Sequence, residues 1–456
     1  MKRSISFALV LAMALSAPAL SGCSAAEKGE TGETGGDGAA TEIVLSDSGV
    51  TVNGAAAPTD TSAAVYTASD IVYYEAGRDF TYGEGTEADE HSQTEADAHT
   101  VVHITQPGTY SLSGTLSAGQ IAVDLGDGAE EDPGAVVTLI LNGVDITCTV
   151  APAVIFYSVY ECGTADEETA SKDVDTSAAG ANVVIADGTV NSVTGSYVAR
   201  IYKPESVELT EDGAEVADAK KLHKYDGAFY SKMSMNVDGG EQGTGVLHID
   251  AENEGLDSEL HLTINGGVIN IESGNDGINT NEDNVSVTTV NGGTLTIRVT
   301  GETGEGDGID SNGWLVINGG TIVSAACSDS MDAGLDADMG IEINGGTVAA
   351  TGNMYDQIDG GAQNYAVFSF ASRQSGGTEY TLKDAGGQVL GTWTPANDFT
   401  YLVVSMPGLE EGTCTLWQGE TQLAGSVSVG GMGGPGMGGG PRPDGGTAPA
   451  EGFEPP

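Results

Sequence analysis

The sequence GDGIDSNGWLVINGG, residues 306–320, joins the two short motifs from which the middle of this chain is built. Its last four residues form an Ile-Asn-Gly-Gly corner, which recurs with Ile or Val in first place at 264–267, 290–293 and 343–346. The spacings are 26, 27 and 26 residues, and a Val-Asp-Gly-Gly variant at 237–240 precedes the first corner by 27 residues. A constant period of this length is typical of repeat proteins, in which each unit stacks on the next.

Apolar and polar residues alternate on both sides of every corner. Leu260, Leu262 and Ile264 precede one corner, and Ile269 and Ile271 follow it. This period of two predicts a short strand on each side, while Asn and Gly tolerate the positive φ that a sharp bend requires. The sequence between corners has no helical periodicity, and a leucine-rich repeat would place a single strand in each unit. We therefore predict an all-β fold, a parallel β-helix (solenoid) in which each repeat forms one coil and strands of successive coils pair.

Stacked coils place the same corner residue of each coil in one column. We expect the corner asparagines to form a ladder, because identical polar side chains can stack amide on amide. The predicted ladder consists of Asn265, Asn291, Asn318 and Asn344. We interpret it as structural rather than catalytic. The predicted inward columns are Leu262, Leu315 and Ile341, and Ile264, Val290, Ile317 and Ile343.

The start of the chain has the features of an export signal. Lys2 and Arg3 precede an apolar stretch that is too short to span a bilayer, and Leu-Ser-Gly-Cys at 20–23 resembles the bacterial lipobox. This pattern predicts lipidation of Cys23, with an ordinary secretory signal as the alternative. We therefore expect an exported lipoprotein, held on the extracellular face of the bacterial cell membrane by its lipid anchor alone.

The remaining chain divides by composition. Polar insertions such as 161–181 interrupt the upstream repeats and are predicted to be surface loops. After residue 365 the corners stop, and hairpin-like sequences indicate a cap over the last open strands. The predicted segments are 1–22, a lipoprotein signal peptide; 23–64, a flexible acidic linker; 65–235, irregular N-terminal β-helix coils; 236–365, regular coils; 366–428, a small antiparallel C-terminal β cap; and 429–456, a disordered Gly/Pro-rich tail.

A second motif, such as Asp307-Gly308-Ile309-Asp310, lies between the predicted strands. Counted back from the next corner, Asp257, Asp310 and Asp336 fall in one column. Carboxylates one strand spacing apart in a half-buried groove repel by about 3–4 kcal/mol, and Ca²⁺, which takes about 6 to 8 oxygen ligands, would offset that repulsion. The alternative is a solvated acidic face screened by salt. The predicted ligands are Asp257, Asp276, Asp307, Asp310, Asp332, Asp336, Asp356 and Asp359.

The charge of the chain restricts its partners. There are 67 acidic residues against 15 basic ones, and the formal net charge is −52. Such a field repels nucleic acids and anionic membrane surfaces, so no nucleic-acid partner is expected. The cysteines outside the signal match no zinc-binding spacing, and we interpret them as structural thiols, although an exported location permits a Cys148–Cys162 disulfide. These cysteines are Cys148, Cys162, Cys327 and Cys414.

The order of several motifs resembles that of one protein family. The motifs are Gly-Thr-Tyr-Ser-Leu at 108–112, Asp-Gly-Thr at 187–189, Asp-Gly-Ala-Phe-Tyr-Ser-Lys at 226–232, the corners, and Ser-Met-Pro at 405–407. Over residues 100–420 the chain resembles bacterial cell-surface carbohydrate-binding β-helix proteins, which bind cellulose and acidic sugars and are similar to pectate lyases in fold. The resemblance implies a right-handed β-helix, Ca²⁺, and polysaccharide binding without demonstrated turnover. Cys414 stands where the family pattern has an aromatic residue.

Three functions fit such a protein: polysaccharide binding, a pectate-lyase-like activity, and a structural adhesin or stalk. A lyase needs a basic residue of lowered pKa beside Ca²⁺, and between residues 233 and 372 Arg298 is the one Lys or Arg in the sequence. A polygalacturonase-like hydrolase would need basic and His motifs that the sequence lacks. Trp314 and His261 fall at equivalent, outward positions two coils apart, where a flat ring could stack on a sugar; an isolated exposed aromatic residue is the alternative. We therefore predict a non-enzymatic, calcium-dependent binder of plant or cell-wall polysaccharide, such as cellulose or pectate.

Overall fold

The structure is a computed structural model that describes residues 39–220, 224–410, 412, 414–423 and 426–430. The predicted signal peptide, Cys23, the first part of the predicted linker and nearly all of the predicted tail lie outside the described residues. The regular secondary structure of the described residues is almost entirely β, so the predicted all-β class is confirmed. They include one α-helix at Gln93–Asp97 and 3₁₀ turns at Ala129–Glu131 and Pro204–Ser206. None of the described helices has the length and apolar composition needed to cross a bilayer.

The strands fall into three consecutive regions. The N-terminal strands are β1 (Thr41–Leu45), β2 (Thr51–Val52), β3 (Ala55–Ala56), β4 (Val65–Ala68), β5 (Thr100–Ile104), β6 (Gly108–Leu116), β7 (Gly119–Asp124), β8 (Val137–Thr147), β9 (Val154–Ser158), β10 (Ala181–Ile185), β11 (Val190–Gly195), β12 (Glu208–Leu209), β13 (Val216–Asp218), β14 (Gly227–Ser231) and β15 (Met235–Asp238). The repeat strands are β16 (Val246–Ala251), β17 (Glu254–Ser258), β18 (His261–Ile264), β19 (Val268–Ser273), β20 (Ile278–Thr280), β21 (Val287–Val290), β22 (Thr294–Val299), β23 (Trp314–Ile317), β24 (Thr321–Ala325), β25 (Gly340–Ile343), β26 (Thr347–Gly352) and β27 (Ile358–Gly360). The C-terminal strands are β28 (Tyr365–Gln374), β29 (Tyr380–Lys383), β30 (Val389–Trp393), β31 (Phe399–Ser405), β32 (Thr415–Gln418), β33 (Thr421–Gln422) and β34 (Ser426–Gly430).

Strands on the same side of each corner pair in parallel with their counterparts in the next repeat. Before the corner, β18, β21, β23 and β25 pair in that order, so that Ile264, Val290, Ile317 and Ile343 lie in register. After the corner, β19, β22, β24 and β26 pair in the same way. The register therefore follows the spacing of the corners in the sequence.

The predicted inward columns form part of the hydrophobic core. Leu262, Leu315, Ile341, Ile264, Val290, Ile317 and Ile343 are each at most 1% exposed. Full burial of such a side chain contributes about 1.5–3 kcal/mol relative to exposure. Thr288 takes the place of an aliphatic residue in one repeat, and its hydroxyl lies 3.1 Å from that of Thr280. The core thus runs through every repeat and joins each to the next.

The acidic motif supplies a third stacked strand, which the alternation around the corners did not predict. β14, β17 and β20 pair in parallel, so that Tyr230, Asp257 and Asn279 lie in register. On its other side β14 pairs with β9, and the described part of this sheet continues through β7 and β5 to β4. The sequence showed the motif but did not predict a strand there, because the motif is short and because polar and apolar residues are buried together in it.

The predicted flexible linker, residues 23–64, differs from the structure in its C-terminal part. β1 pairs in parallel with β6 and antiparallel with β2. Ile43 and Leu45 are buried in the main core. The acidic, Gly-rich sequence before residue 41 obscured this strand, because five alternating residues contribute little to the average composition of the segment.

The parallel stack ends against antiparallel strands. β31 pairs antiparallel with both β26 and β28, and β28 also pairs antiparallel with β34. A second apolar cluster includes Tyr380, Trp393 and Phe399, and it lies among these strands and the sheet of β29, β30, β32 and β33. The antiparallel strands cover the edge that β26 would otherwise present to solvent.

Candidate functional site

The acidic motifs of two neighbouring repeats meet in a group of carboxylates that we call the buried cluster. It consists of Asp226, immediately before β14, and of Glu254 and Asp257 on β17. One oxygen from each residue lies within 4.8 Å of the others. The three residues are at most 3% exposed. Such a set of oxygens can hold a hard cation.

A second group, the half-buried cluster, consists of Asp307, Asp310 and Asp336, which again bring one oxygen each within 4.8 Å of the others. Burial raises the pKa of Asp307 and of Asp310 well above the usual range; the next largest contribution comes from Asp276 for Asp307 and from Asp336 for Asp310. All three cluster residues remain partly accessible to solvent. A cation held here could therefore also contact a ligand from outside.

The predicted column of Asp257, Asp310 and Asp336 is interrupted by Asn279. Asp257 pairs in register with Asn279. A parallel bridge one position earlier places Asp310 beside Asn279 on its other side. Because an uncharged amide separates the acids, they divide into two clusters instead of forming one row.

The other four predicted ligands belong to neither cluster. Each accepts a hydrogen bond from a backbone N–H of an adjacent repeat or turn: Asp276 Oδ1 from Asp307 at 2.6 Å, Asp332 Oδ2 from Gly306 at 2.6 Å, Asp356 Oδ2 from Ala337 at 3.3 Å, and Asp359 Oδ2 from Ile341 at 3.2 Å. These carboxylates therefore connect successive acidic motifs through the backbone.

Glycine within the acidic motif allows successive motifs to approach closely. A Cβ on Gly227 would lie 2.6 Å from the Cβ of Asp257. A Cβ on Gly255 would lie 2.5 Å from the carbonyl oxygen of Gly277. Both distances are far inside van der Waals contact, and a close-packed interior does not relax easily. The carboxylates can meet only because these positions have no side chain.

Lys224 lies beside the buried cluster and forms an ion pair with Asp226. Burial acts to lower the pKa of Lys224, but the attraction of Asp226 and Glu254 is stronger, and the net pKa is raised. Burial raises the pKa of Glu254, with Asp226 as the next contributor, and burial followed by Glu254 raises that of Asp257. Lys224 is therefore protonated at neutral pH.

A cavity of about 360 Å³ adjoins the buried cluster and brings Lys224 together with Arg200. Neither residue was expected from the sequence, because both precede the stretch 233–372 that contains the regular repeats. The sequence signal that could have identified Lys224 is its position two residues before Asp226, the acid at the start of an acidic motif. Arg298, the basic residue that the sequence singled out, pairs with Glu272 at 2.9 Å, and the two side chains are 48% and 41% exposed.

The two predicted aromatic platforms lie in one column, since His261, Val287 and Trp314 are in register. Trp314 is half-buried. The prediction that His261 faces solvent is wrong, because this residue is 1% exposed. His261 therefore cannot stack on a sugar.

The insertion 161–181 covers His261. A Cβ on Gly163 would lie 2.6 Å from Nε2 of His261, which shows how closely the insertion packs on the ring. Farther along the insertion, Lys172 Nζ lies 2.9 Å from Glu342 Oε2 on β25. The insertion was expected to be a surface loop, and residues 165–169 are exposed, while Gly163 and Lys172 pack across the strands that precede the corners.

His261 is expected to make the fold sensitive to acid. Burial lowers the pKa of His261, and its Nδ1 accepts a hydrogen bond from the Val287 N–H at 3.1 Å. The imidazole ring of His261 is therefore neutral in the folded protein. Its contribution to stability is fully present above about 6.5, the pKa of His in the unfolded chain, and is lost as the pH falls toward the lower pKa of His261 in the folded protein. The expected slope is about 1.4 kcal/mol per pH unit in that window. Urea denaturation at neutral and mildly acidic pH measures this change in the free energy of unfolding.

The matched variant for this prediction is His261→Asn, which retains an acceptor near the position of Nδ1 but does not titrate. Wild type is expected to exceed the variant in stability at neutral pH, and this advantage should shrink as the pH falls. If both proteins lose stability with the same slope, another group is responsible for the acid sensitivity.

The four corner asparagines are joined by side-chain hydrogen bonds. The Nδ2 groups of Asn291, Asn318 and Asn344 each donate to Oδ1 of the asparagine one repeat earlier, at 2.9 Å in every case, beginning with Asn265. At the end of the row, Asn344 Oδ1 accepts from the Ala362 N–H at 3.1 Å. The side-chain amides thus hydrogen-bond to one another along the row, which is consistent with a structural role.

The four cysteines of the described residues have free thiols, and Cys148 and Cys162 are not joined by a disulfide. Burial raises the pKa of Cys148 to about 12 and that of Cys162 to about 11. A thiol reacts as its thiolate, so neither residue has the character of a nucleophile.

Comparison with known proteins gives two matches. A family model described as "carbohydrate-binding domain-containing protein" matches residues 98–376, which is more than half of the chain and includes both clusters. The structure of the polysaccharide lyase-like protein from C. thermocellum, a gadolinium derivative, is similar at 21% sequence identity and a TM-score of 0.35, over 68% of this chain and 93% of that chain. No curated protein matches this chain.

Proposed function

Because the chain belongs to the family of carbohydrate-binding domain-containing proteins, we propose that it binds polysaccharide through a calcium ion held at the half-buried cluster. The family expected from the sequence motifs is thereby confirmed, and polysaccharide is the partner class that it supports. The half-buried cluster carries the finer proposal, because its three carboxylates are close together and still accessible from outside.

The scaffold that we infer is a right-handed parallel β-helix. The strands before the corner, after the corner and in the acidic motif each pair in parallel with their counterparts in the next repeat. A parallel connection between strands of one sheet is right-handed in nearly all proteins. Each coil would then present its acidic motif at the same place on the surface.

Calcium would allow this acidic protein to bind an acidic glycan. The net charge of −52 repels a uronate polymer. Ca²⁺ takes about 6 to 8 oxygen ligands, so one oxygen from each residue of the half-buried cluster would leave positions for water and for a sugar carboxylate. The ion would thus bridge protein and glycan carboxylates, and its removal would restore the repulsion.

A neutral glycan would use Trp314 instead. In register with Trp314 on the next strand is Gly340, which has no side chain to cover the indole ring. A pyranose ring can stack on an open aromatic face through apolar contact. This contact needs no ion, so binding of cellulose should persist in chelator.

We propose that the protein has no lyase activity. A lyase base must lose its proton near neutral pH. Lys224 is protonated because Asp226 and Glu254 raise its pKa, and Arg200, the other base of the cavity, retains its charge as an arginine. Both groups fit the binding of an anion better than the removal of a proton.

The anchor and location that we propose follow from the sequence at residues 20–23 alone. Lipidation of Cys23 would hold the protein on the extracellular face of the membrane. Labelling with a radioactive fatty acid tests this point, and a Cys23→Ser variant should lose the label.

The test of glycan binding uses the full chain in detergent, mixed with immobilised polygalacturonate or with cellulose, in calcium or in EDTA. We expect EDTA to abolish binding to polygalacturonate while binding to cellulose persists and is weakened by Trp314→Ala. Release of unsaturated uronides would establish a lyase instead. Absence of binding to either glycan would favour a structural adhesin.

A further inference from the structure

The buried cluster contains carboxylate oxygens that lack a hydrogen-bond donor. Asn279 Nδ2 donates to Glu254 Oε1 at 3.2 Å, and Asn281 Nδ2 donates to Asp257 Oδ1 at 2.6 Å. Within the described part of the chain, no donor reaches Glu254 Oε2 or Asp257 Oδ2, although these residues are at most 2% exposed. Leaving buried polar atoms unpaired is costly, and more so for charged groups. The two oxygens therefore indicate a positively charged ligand.

The charge of this ligand can be inferred from the charged groups of the buried cluster. Lys224 pairs with Asp226, which leaves the carboxylates of Glu254 and Asp257 without an ion pair among the described residues. A buried group of charges is tolerated when opposite charges balance it. One ammonium and one divalent cation together balance three carboxylates.

The surroundings of the buried cluster differ from those of the half-buried cluster. Its ligands are almost completely enclosed, with Asp226, Glu254 and Asp257 at 3%, 2% and 0% exposure. An ion there would have little room for a sugar carboxylate. It would instead join the residue before β14 to two residues of β17, and so connect one repeat to the next.

We propose that the buried cluster binds a second divalent cation, with Ca²⁺ as the natural choice for carboxylate oxygens, and that this ion stabilises the fold without contacting glycan. The site goes beyond the proposed function, which concerns the half-buried cluster. Glu254 and Asp226 were not among the ligands expected from the sequence.

The test measures thermal unfolding of the full chain in calcium and in EDTA, together with luminescence of added Tb³⁺, a substitute for Ca²⁺ that emits when a nearby tyrosine is excited. Tyr230 lies in register with Asp257 and is suited to sensitise an ion in the buried cluster. We expect calcium to raise the melting temperature of the wild type and to compete with sensitised Tb³⁺.

The decisive variant is Glu254→Gln, which keeps the shape of the side chain and removes one charge. In EDTA it should be at least as stable as the wild type, because repulsion within the cluster is reduced. In calcium it should lose most of the rise in melting temperature and most of the Tb³⁺ signal. Asp257→Asn is expected to behave in the same way, which guards against an effect peculiar to one substitution.

The matched control is Asp310→Asn, which alters the half-buried cluster instead. It should lose only the smaller part of the calcium-dependent rise in melting temperature that an ion in the half-buried cluster contributes, and it should lose binding to polygalacturonate, whereas Glu254→Gln should show the reverse. The proposal is overturned if Glu254→Gln and Asp257→Asn keep the full response to calcium, or if Asp310→Asn alone removes it. Because stability and glycan binding are read separately, failure of one proposal does not imply failure of the other.

Discussion

The variant Gly277→Val is expected to lose a large part of the stability of the fold. A Cβ on Gly277 would lie 2.2 Å from Cγ2 of Ile297 and 2.6 Å from the carbonyl oxygen of Gly308, and the two methyl groups of Val would add further overlap. The Gly277 N–H donates to the Asp307 carbonyl at 3.0 Å, so the strand cannot move away without loss of pairing between repeats. Overpacking typically costs about 1–3 kcal/mol, and lost pairing adds to it. We expect a loss of about 4 kcal/mol or more, out of a typical total of about 5–15 kcal/mol.

Urea denaturation and the yield of soluble protein measure this loss. The matched control is Gly360→Val, since the nearest atom to a Cβ on Gly360 is Glu342 Oε1 at 3.6 Å, an ordinary contact. The control should unfold near the wild-type midpoint. Equal destabilisation of both variants would show that close approach of the acidic motifs is not what Gly277 provides.

The variant Asp310→Asn is expected to weaken calcium-dependent binding of polygalacturonate by at least about 30-fold, which corresponds to about 2 kcal/mol. Asp310 shares the half-buried cluster with Asp307 and Asp336, and the substitution removes one of the three negative charges that attract the ion. The amide preserves the shape of the side chain. Because repulsion among the carboxylates is also reduced, the variant should fold at least as well as the wild type in EDTA.

Isothermal titration of the full chain with oligogalacturonate in calcium measures the affinity. Asp359→Asn is the matched control, because Asp359 belongs to the same repeated motif but to neither cluster. Its affinity should stay within a few-fold of the wild type. If the two variants weaken binding equally, the general negative charge of the surface is responsible and no particular cluster holds the bridging ion.

The two clusters would divide binding and stability between different repeats of the same acidic motif. Asn279 separates them, and the half-buried cluster is partly accessible to solvent, while the buried cluster pairs with Lys224 and adjoins the cavity lined by Lys224 and Arg200. The same acidic motif can therefore supply a ligand-binding site in one repeat and a structural cation site that connects two strands in another. The difference depends on the residues that cover each repeat.

The sequence by itself determined the class of the fold and the register of its repeats. Parallel stacking brings residues one period apart into register, so the spacing of the corners was enough to place Asn291 beside Asn265, where the structure has a hydrogen bond of 2.9 Å. The apolar columns followed from the same rule. The spacing of the corners and the alternation of apolar residues are local, periodic features, so a single sequence is enough to recognise them.

The tertiary structure alone decided which acids meet and which side chains are covered. His261 has the sequence position of an exposed residue, and it is buried because an insertion about a hundred residues earlier in the chain packs over it. Lys224 meets Asp226, Glu254 and Asp257 because two acidic motifs stack at that point. Irregular segments obey no period, so the contacts they make depend on the packing of the whole chain, and that is why the sequence predicted the scaffold more completely than the site.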